Sequence, residues 1–217
     1  MIKILFEDRA DAGKKLADIM EEYKSTDTLI LAIPRGGLIV GVEIARRFNL
    51  EIDLIIPRKI GAPFNPEMAV GAVTQDKTVI LNCLLLDRLG LREEDLKDQI
   101  TQEVKEIDRR MRLYRKSNHY PEYKQKNIIL VDDGIATGYT VFASINSIKK
   151  IFNPDNVILA VPVAPFEIIE KLKSMVNIIK CLHIPEDFYA VGQFYKNFGQ
   201  TSDQEVIDLM EEIAKIN

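Results

Sequence analysis

The sequence lacks tryptophan, contains only two cysteines, and has no apolar run that approaches the roughly 20 residues needed to span a membrane. Cys83 and Cys181 lie far apart and outside any CxxC spacing, so each is predicted to be a buried free thiol. The N-terminal stretch also lacks the apolar segment of a signal peptide. Together these absences predict a protein of the reducing cytoplasm that does not enter a membrane.

The sequence also lacks an excess of basic residues: it has 29 Lys and Arg residues and 33 Asp and Glu residues, which gives a formal net charge of −4. Nucleic-acid binders usually carry a surplus of positive charge, so this class is disfavoured. The composition, 47% hydrophobic and 29% charged, is that of a globular chain with enough apolar material for one core. No internal repeat, low-complexity tract or Gly/Ser linker divides it, and a single domain over residues 1–217 is predicted.

Short apolar runs alternate along the chain with stretches of helical periodicity. Continuous apolar runs predict buried strands at 28–33, 53–57, 127–131, 156–163 and 177–184, and a hairpin over 68–74 and 78–82. Helical spacing predicts helices at 8–23, 38–48, 91–114, 140–152 and 166–176, with a last helix that starts at a capping box, Ser202 and Glu205. The stretch 58–67 is predicted to be a loop. This alternation predicts an α/β fold with a parallel twisted sheet and helices on both faces. Such sheets bind ligands at the carboxyl ends of their strands.

The strongest motif follows the predicted strand 127–131, where two adjacent acids precede a turn of small and hydroxyl residues and then a helix. The start of that helix offers free N–H groups and the positive end of its dipole, which suit a phosphate. Thr137 and Thr140 add hydroxyl donors, and Gly138 allows close approach of the backbone. Asp132 and Asp133 would repel a phosphate but can accept hydrogen bonds from vicinal hydroxyls or help to hold Mg²⁺. The motif predicts a site for a phosphorylated, polyhydroxylated ligand; the alternative is an ordinary acidic turn capped by threonine.

Two further strand ends carry candidate anion-binding residues. Gly36 and Gly37 precede a predicted helix, so their amides are open to a ligand, and Arg35 adds a fixed positive charge. Arg58 and Lys59 place two adjacent cations after the second predicted strand, where they could stabilise a negatively charged leaving group. A plain glycine turn and a solvated basic pair are the alternatives.

The string Val131-Asp132-Asp133-Gly134-Ile135-Ala136-Thr137-Gly138-Tyr139-Thr140 resembles the signature of type I phosphoribosyltransferases, which use 5-phosphoribosyl 1-pyrophosphate (PRPP). The resemblance implies that Asp132 and Asp133 hold the ribose hydroxyls, with Mg²⁺ bound through PRPP and these acids. It implies a 5′-phosphate turn made of Ala136, Thr137, Gly138, Tyr139 and Thr140. It also implies a pyrophosphate loop made of Pro34, Arg35, Gly36 and Gly37, with Arg58 and Lys59 beside the leaving pyrophosphate.

The resemblance extends over most of the chain. Two terminal stretches are similar to a subgroup of uncharacterised phosphoribosyltransferases: Phe6-x-Asp8-Arg9-x-Asp11-Ala12-Gly13, and 185–192 followed by Tyr195, Phe198, Gln200 and Asp203. The family implies a core over about 26–184, a helical excursion over about 84–126, and a hood from about 1–25 and 185–217. Phe188, Tyr189 and Tyr195 of that hood are candidates to stack on a flat acceptor; packing in the core is the alternative.

The implied reaction is Mg²⁺-dependent transfer of the phosphoribosyl group from PRPP to a small acceptor with a nitrogenous base, with release of pyrophosphate. Ala136 departs from enzymes that salvage 6-oxopurines, which have an acidic general base there, so those acceptors are disfavoured. The rivals are a PRPP-sensing regulator without turnover and a phospho-receiver domain, although receivers place their acid pair after the first strand. The acceptor and the oligomeric state, a homodimer included, stay open.

The histidines and a basic run remain. His119 falls in a polar loop over 117–126 that is predicted to be mobile, and His183 ends an apolar strand. No third residue has zinc-like spacing, so neither histidine is predicted to bind a metal. The run 109–116 is basic, which is typical of the solvated face and C-terminal end of a helix; contact with an anion is the alternative.

Overall fold

The computed structural model describes residues 4–123 and 127–214. Its strands are β1 (Thr28–Ala32), β2 (Glu51–Leu54), β3 (Arg58–Ala62), β4 (Asn65–Val73), β5 (Val79–Leu81), β6 (Asn127–Val131), β7 (Asn156–Val163) and β8 (Ile178–His183). Five of them pair in parallel in the order β2-β1-β6-β7-β8, and β3, β4 and β5 form a separate antiparallel sheet. The predicted parallel sheet and the predicted hairpin are confirmed, and β6 and β7 have the predicted bounds.

The helices are α1 (Arg9–Asp18), α2 (Gly36–Phe48), α3 (Cys83–Leu89), α4 (Lys97–Arg115), α5 (Tyr139–Phe152), α6 (Phe166–Leu172) and α7 (Asp203–Ile213), with 3₁₀ turns at Glu21–Tyr23, Glu93–Leu96 and Val191–Phe194. Three predicted helices are too long. In two of them 3₁₀ turns replace the end of the first and the start of the one at 91–114, and the helix predicted at 166–176 ends at Leu172. The predicted capping box of α7 is confirmed: the Glu205 N–H donates to Ser202 Oγ, and the Ser202 N–H donates to the Glu205 carboxylate. None of the described helices is long and apolar enough to cross a membrane.

Alternate residues of the parallel strands feed two apolar clusters on opposite faces of the sheet. In β1, Ile30 and Ala32 pack with residues of α1, α2, α4 and α7, whereas Leu29 and Leu31 pack with residues of α5 and α6. Successive side chains of a strand point to opposite faces, so a strand covered on both faces is apolar at every position. This explains the continuous apolar runs and confirms helices on both faces.

The predicted loop over 58–67 is wrong, because this stretch forms β3 and the start of β4. The ladder is irregular: its register shifts on both sides of Gly61, where an added Cβ would lie 2.4 Å from the carbonyl oxygen of Pro66. The glycine and prolines that suggested a loop therefore mark a close approach of two strands. The second predicted strand is also displaced, since β2 ends at Leu54 instead of extending over 53–57.

The segment after α4 packs against β2 over 117–123, where its mobility stays a prediction. Tyr120 Oη donates to the carbonyl oxygen of Leu54 at 2.8 Å, and Tyr123 Oη donates to Asp53 at 2.5 Å. Arg115 donates to both carboxylate oxygens of Asp53, each at 2.6 Å. Residues 124–126 of the predicted loop lie outside the described residues. These contacts tie the end of α4 to the edge of the parallel sheet.

Both cysteines are free thiols, but they are not equally buried. Cys83 is exposed because it starts α3 at the surface, so its predicted burial is wrong. Cys181 is partly buried in β8, and burial raises the pKa of its thiol to about 11.

Asp76 fixes the β4–β5 turn to α5. Its carboxylate accepts hydrogen bonds from Thr74 and Thr78 (2.6 Å each) and from Ser147 (2.8 Å), and pairs with Lys150 at 3.0 Å. Burial would raise the pKa of Asp76, but the hydrogen bonds from these four residues outweigh burial and hold its pKa well below the usual value. The hairpin is thus locked onto the helix that follows the acidic motif.

Replacing Asp76 with asparagine is expected to lower the free energy of unfolding by about 1–3 kcal/mol at pH 7, because buried donors lose a charged acceptor. A depressed pKa stabilises the fold fully above the unfolded-state pKa of about 3.9, and the benefit is lost as the pH falls toward the folded-state value. The difference from the unsubstituted chain should therefore shrink below about pH 4. Urea unfolding at several pH values measures it, with exposed Asp155→Asn as the control. Equal effects of the two substitutions would contradict the prediction.

Candidate active site

The acid pair lies where the strand order of the parallel sheet reverses. β1 and β6 are neighbours, with β2 beyond β1 on one side and β7 and β8 beyond β6 on the other. A crevice opens at the carboxyl ends of strands at such a switch point. The loop 34–37 follows β1, and Asp132 and Asp133 follow β6, so the topology brings these predicted segments together.

One oxygen of each carboxyl group is bound by the protein. The Asp133 N–H donates to Asp132 Oδ1 at 2.8 Å, and Arg9 Nε donates to Asp133 Oδ2 at 2.6 Å. Within the described chain, no residue outside the pair donates to the other two oxygens. Burial and the adjacent charge of Asp133 raise the pKa of Asp132 well above its usual range. The pair offers acceptors for two neighbouring hydroxyls.

The predicted pyrophosphate loop packs directly on the acids. An added Cβ on Gly36 would lie 2.0 Å from Asp133 Oδ2, and one on Gly37 would lie 2.9 Å from Asp132 Cα. α2 begins at Gly36, and in the described residues the N–H groups of Gly36, Gly37 and Leu38 donate to no protein acceptor. The peptide bond between residues 34 and 35 is cis. Free amides therefore lie beside the acids at the start of a helix, where an anion binds favourably.

Replacing Gly36 with alanine is expected to weaken binding of Mg²⁺·PRPP by at least about 10-fold, because the new methyl group displaces the Asp133 carboxylate or Arg9. Gly199→Ala is the matched control, since a Cβ there meets no atom within 4 Å. Calorimetric titration of both variants with PRPP and Mg²⁺ measures the effect. Full affinity in Gly36→Ala would show that this contact does not shape the site.

The turn after the acids provides a second set of free amides. Gly138 caps α5 with φ 80°, a conformation that favours glycine. From Ala136 to Val141 no N–H donates to a protein acceptor in the described part of the chain, and the next N–H, that of Phe142, bonds Gly138. A cavity of about 230 Å³ lies over this turn and is also lined by Lys59. Free amides, a helix N-terminus and a lysine together favour an anion.

The three predicted cations do not converge. Lys59 lines the cavity over the turn. Arg58, one residue earlier in β3, points to the other face of the strand and donates to Glu103 of α4 at 2.6 Å. Arg35 extends toward α7, where its Nη1 lies 3.5 Å from an oxygen of Asp203. The structure thus brings Lys59 to the turn, although its Nζ also lies 3.4 Å from a carboxylate oxygen of exposed Glu67. It pairs Arg58 with Glu103 and Arg35 with Asp203.

The N-terminal segment around residues 6–9 and the segment 195–199 before α7, together called the chain ends, meet beside the acid pair. Phe6 and Tyr195 form a β-bridge, and Tyr195 Oη donates to the carbonyl oxygen of Asp133 at 2.6 Å. Arg9 reaches Asp133 from the start of α1 and also donates to the carbonyl oxygen of Gly199 at 2.8 Å. Sequence analysis gave Arg9 no role at the site, although it belongs to the N-terminal motif. Its partner lies 124 residues away, and no local pattern signals such a contact.

The candidate acceptor aromatics lie in different environments. Tyr195 is 4% exposed, with the rings of Phe6 and Phe198 at centroid distances of 5.0 and 4.9 Å. Its ring is therefore used in packing, and the stacking prediction is wrong for Tyr195. Phe188 is partly buried in the same apolar cluster. Tyr189 is 80% exposed, which leaves its ring free for a ligand.

A larger cavity, of about 590 Å³, lies between β2, the end of α4 and α7. It is a weaker candidate site, because Asp53 and Arg115 in its lining neutralise each other. Two arginines of the basic run 109–116 form ion pairs: Arg109 and Arg110 both pair with Glu106. The predicted solvated face is confirmed at Arg109, Arg112 and Lys116, which are exposed, but it is wrong for Arg110, whose side chain is 11% exposed. The crevice between β1 and β6 stays the better candidate.

A family model described as "Phosphoribosyl transferase domain" matches residues 6–197. The chain belongs to this family. Two relatives from Mycobacterium tuberculosis, "Putative phosphoribosyl transferase Rv0571c" of strain H37Rv and its MT0597 counterpart of strain CDC 1551, are each 34% identical over 207 residues. The match covers 95% of this chain but only 46% of each relative, so the chain spans about half the length of the curated relatives it matches.

A solved structure agrees with this membership of the phosphoribosyl transferase domain family. The crystal structure of TT1426 from Thermus thermophilus is 34% identical in sequence, with a TM-score of 0.77. The match covers 96% of this chain and 98% of that one. The similarity therefore extends from the parallel core to the terminal segments that meet beside the acids.

The donor set of this phosphoribosyl transferase domain fits a Mg²⁺ ion that is bound largely by a substrate. In residues 4–123 and 127–214 no group of three or more His, Cys, Asp and Glu side chains could hold a metal ion alone. Mg²⁺ in phosphate-transfer sites typically takes one or two carboxylates together with phosphate oxygens and water. Asp132 and Asp133 supply two carboxylates at the crevice, which meets that requirement.

Proposed function

We propose that this domain transfers the 5-phosphoribosyl group of PRPP to a small acceptor with a nitrogenous base and releases pyrophosphate, in a Mg²⁺-dependent reaction. One observation carries the proposal: the acid pair lies between two helix N-termini whose amides are free. PRPP has the same order of groups, with a phosphate at one end, two hydroxyls in the middle and a pyrophosphate at the other end.

PRPP would bind between these two helix N-termini in one orientation. The turn from Ala136 to Thr140, with Lys59 above it, would hold the 5′-phosphate, and Asp132 and Asp133 would accept from the ribose 2′- and 3′-hydroxyls. The pyrophosphate would then lie over the amides of Gly36 and Gly37. Mg²⁺, when bound through the pyrophosphate and the acids, supplies positive charge to the leaving group.

The reaction we propose is a substitution at the ribose C1 atom. The C1–O bond breaks and its electron pair leaves with pyrophosphate. A nitrogen of the acceptor forms the new bond to C1 with its lone pair, and any proton on that nitrogen passes to solvent water. The protein contributes position and electrostatics: two amide cradles fix both ends of the donor and the acids fix the ring between them. Ala136 is exposed and has no group that takes a proton, so this position does not supply a general base.

We also propose that the meeting chain ends form a hood over the acceptor. They lie next to the acids, since Tyr195 bonds Asp133 and Val191 lines the cavity over the turn. Tyr189 is 80% exposed, more than Phe198 of the same region, and would stack on a flat acceptor. Two free thiols suit action in the reducing cytoplasm.

Calorimetry of the full chain with PRPP, with and without Mg²⁺, tests the donor assignment first. A panel of purine, pyrimidine and other nitrogenous bases, scored for release of pyrophosphate, then tests transfer. Saturable, Mg²⁺-dependent binding and release with at least one base are expected. Binding without release across the panel would favour a PRPP-sensing regulator, and an absence of PRPP binding would refute the proposal.

A further inference from the structure

Arg9 is fixed at the boundary between the acid pair and the chain ends. Its Nε donates to Asp133 at 2.6 Å, and its Nη1 donates to the carbonyl oxygen of Gly199 at 2.8 Å. The guanidinium also lies 4.0 Å from the ring centroid of Phe198, and the side chain is 12% exposed. Three contacts in different directions therefore hold this cation in one position.

That position also touches the predicted pyrophosphate loop. An added Cβ on Gly36 would lie 2.6 Å from Arg9 Nε, as well as 2.0 Å from Asp133 Oδ2. Arg9, Gly36 and Asp133 are thus mutual neighbours. If PRPP binds as proposed, the bond between ribose and pyrophosphate lies over this junction, because the acids hold the ribose and the loop holds the pyrophosphate.

One nitrogen of Arg9 remains available to a ligand. Nη2 donates to no acceptor among the residues that the structure describes, whereas Nε and Nη1 both do. In a guanidinium, Nη2 lies on the same edge as the Nε–H group, which here faces Asp133. A free, charged donor is therefore directed toward the acid side of the crevice.

We propose that Arg9 is a substrate-contacting residue whose Nη2 donates to an oxygen of the pyrophosphate group of PRPP. This inference rests on the proposed function and extends it to the N-terminal segment. As the C1–O bond breaks, its electron pair passes to the pyrophosphate oxygen, and Arg9 stabilises the negative charge that develops there.

The other cations of the region are held at other positions, so none of them is placed to contact the pyrophosphate. Arg58 is paired with Glu103 at 2.6 Å, and Arg35 extends toward Asp203 at 3.5 Å. Lys59 lines the cavity over the turn, where the 5′-phosphate would lie. Arg9 contacts both the loop and the acids, which is what a leaving-group cation requires.

Calorimetry with three probes tests the proposal on the full chain: PRPP with Mg²⁺, inorganic pyrophosphate with Mg²⁺, and ribose 5-phosphate. Arg9→Ala is expected to weaken binding of pyrophosphate and PRPP by on the order of 10- to 100-fold, the value of a charge-assisted hydrogen bond, and to change ribose 5-phosphate binding by less than about 3-fold. Arg9→Lys should fall in between, because a point charge replaces a planar fork. Lys196→Ala is the control, since it breaks an ion pair with Glu7 between the same two chain ends.

The outcomes separate this inference from the proposed function. If the unsubstituted chain binds PRPP and Arg9→Ala binds pyrophosphate equally well, the inference falls and the proposed function stands. Equal losses for pyrophosphate and ribose 5-phosphate would make Arg9 a structural tie and also overturn it. If the unsubstituted chain does not bind PRPP, both fail. If Arg9→Ala does not fold, Arg9→Lys decides: a loss specific to pyrophosphate supports the contact, and unchanged binding overturns it.

Discussion

Replacing both Asp132 and Asp133 with asparagine is expected to weaken binding of Mg²⁺·PRPP by on the order of 100-fold, because two charge-assisted hydrogen bonds to the ribose become neutral ones. Loss of carboxylate ligands for Mg²⁺ adds to the effect. Calorimetric titration with PRPP at saturating Mg²⁺ measures it directly. Pyrophosphate release with any active acceptor should fall in the same variant.

The fold should survive this double substitution. Burial and the charge of Asp133 raise the pKa of Asp132, so a neutral amide at this position removes a charge that its surroundings disfavour. Asparagine at 133 leaves Arg9 without its charged partner, but the contact of Arg9 with Gly199 remains. The melting temperature is therefore expected to change by no more than about 5 °C.

The matched control replaces two adjacent acids that lie outside the crevice. Glu93 and Glu94 are exposed neighbours in the 3₁₀ turn before α4, and replacing both with glutamine changes the net charge by the same amount. This control should bind PRPP as the unsubstituted chain does. If the aspartate variant also kept full affinity, the acid pair would not be the ribose site and the proposed function would lose its main support.

The parallel core could be predicted from the sequence because its strands are buried on both faces. Every residue of β7 after Asn156 is buried, so the strand is a continuous apolar run whose ends are visible in the sequence. β3 and β4 could not be predicted in the same way. Their stretch contains a glycine and two prolines, and only the pairing partner shows that these residues mark a bulge instead of a loop.

The candidate site was also predictable from the sequence only in part. The acids, the glycines of the loop and the turn at 136–140 are each consecutive in sequence, and the rule that ligands bind at strand ends brings them together. Arg9 and Lys59 depend on tertiary contacts. Arg58 and Lys59 looked equivalent in sequence, but the alternation of a strand sends them to opposite faces.

The second large effect is expected at Arg115, outside the active site. Arg115 and Asp53 form a buried pair, with side chains 5% and 8% exposed, and Tyr123 donates to the same carboxylate. Truncating one partner leaves the other charge buried and unpaired, which typically costs about 3–5 kcal/mol. Arg115→Ala should therefore lower the free energy of unfolding by that amount, as measured by urea denaturation.

Arg112→Ala provides the control for this prediction, because Arg112 is exposed on the same helix and a surface truncation should change stability by less than about 0.5 kcal/mol. A double-mutant cycle with Asp53→Asn then isolates the pair. Since each single variant already removes the shared interaction, the double variant should lose less stability than the sum of the two. Additive losses would mean that Arg115 acts through its contact with the ring of Tyr120, 4.1 Å from the guanidinium, and not through Asp53. In either case Arg115 contacts the edge strand β2 and not the crevice that holds the acid pair. At temperatures where Arg115→Ala remains folded, its PRPP affinity should therefore match that of the unsubstituted chain. This comparison separates loss of the fold from loss of the site.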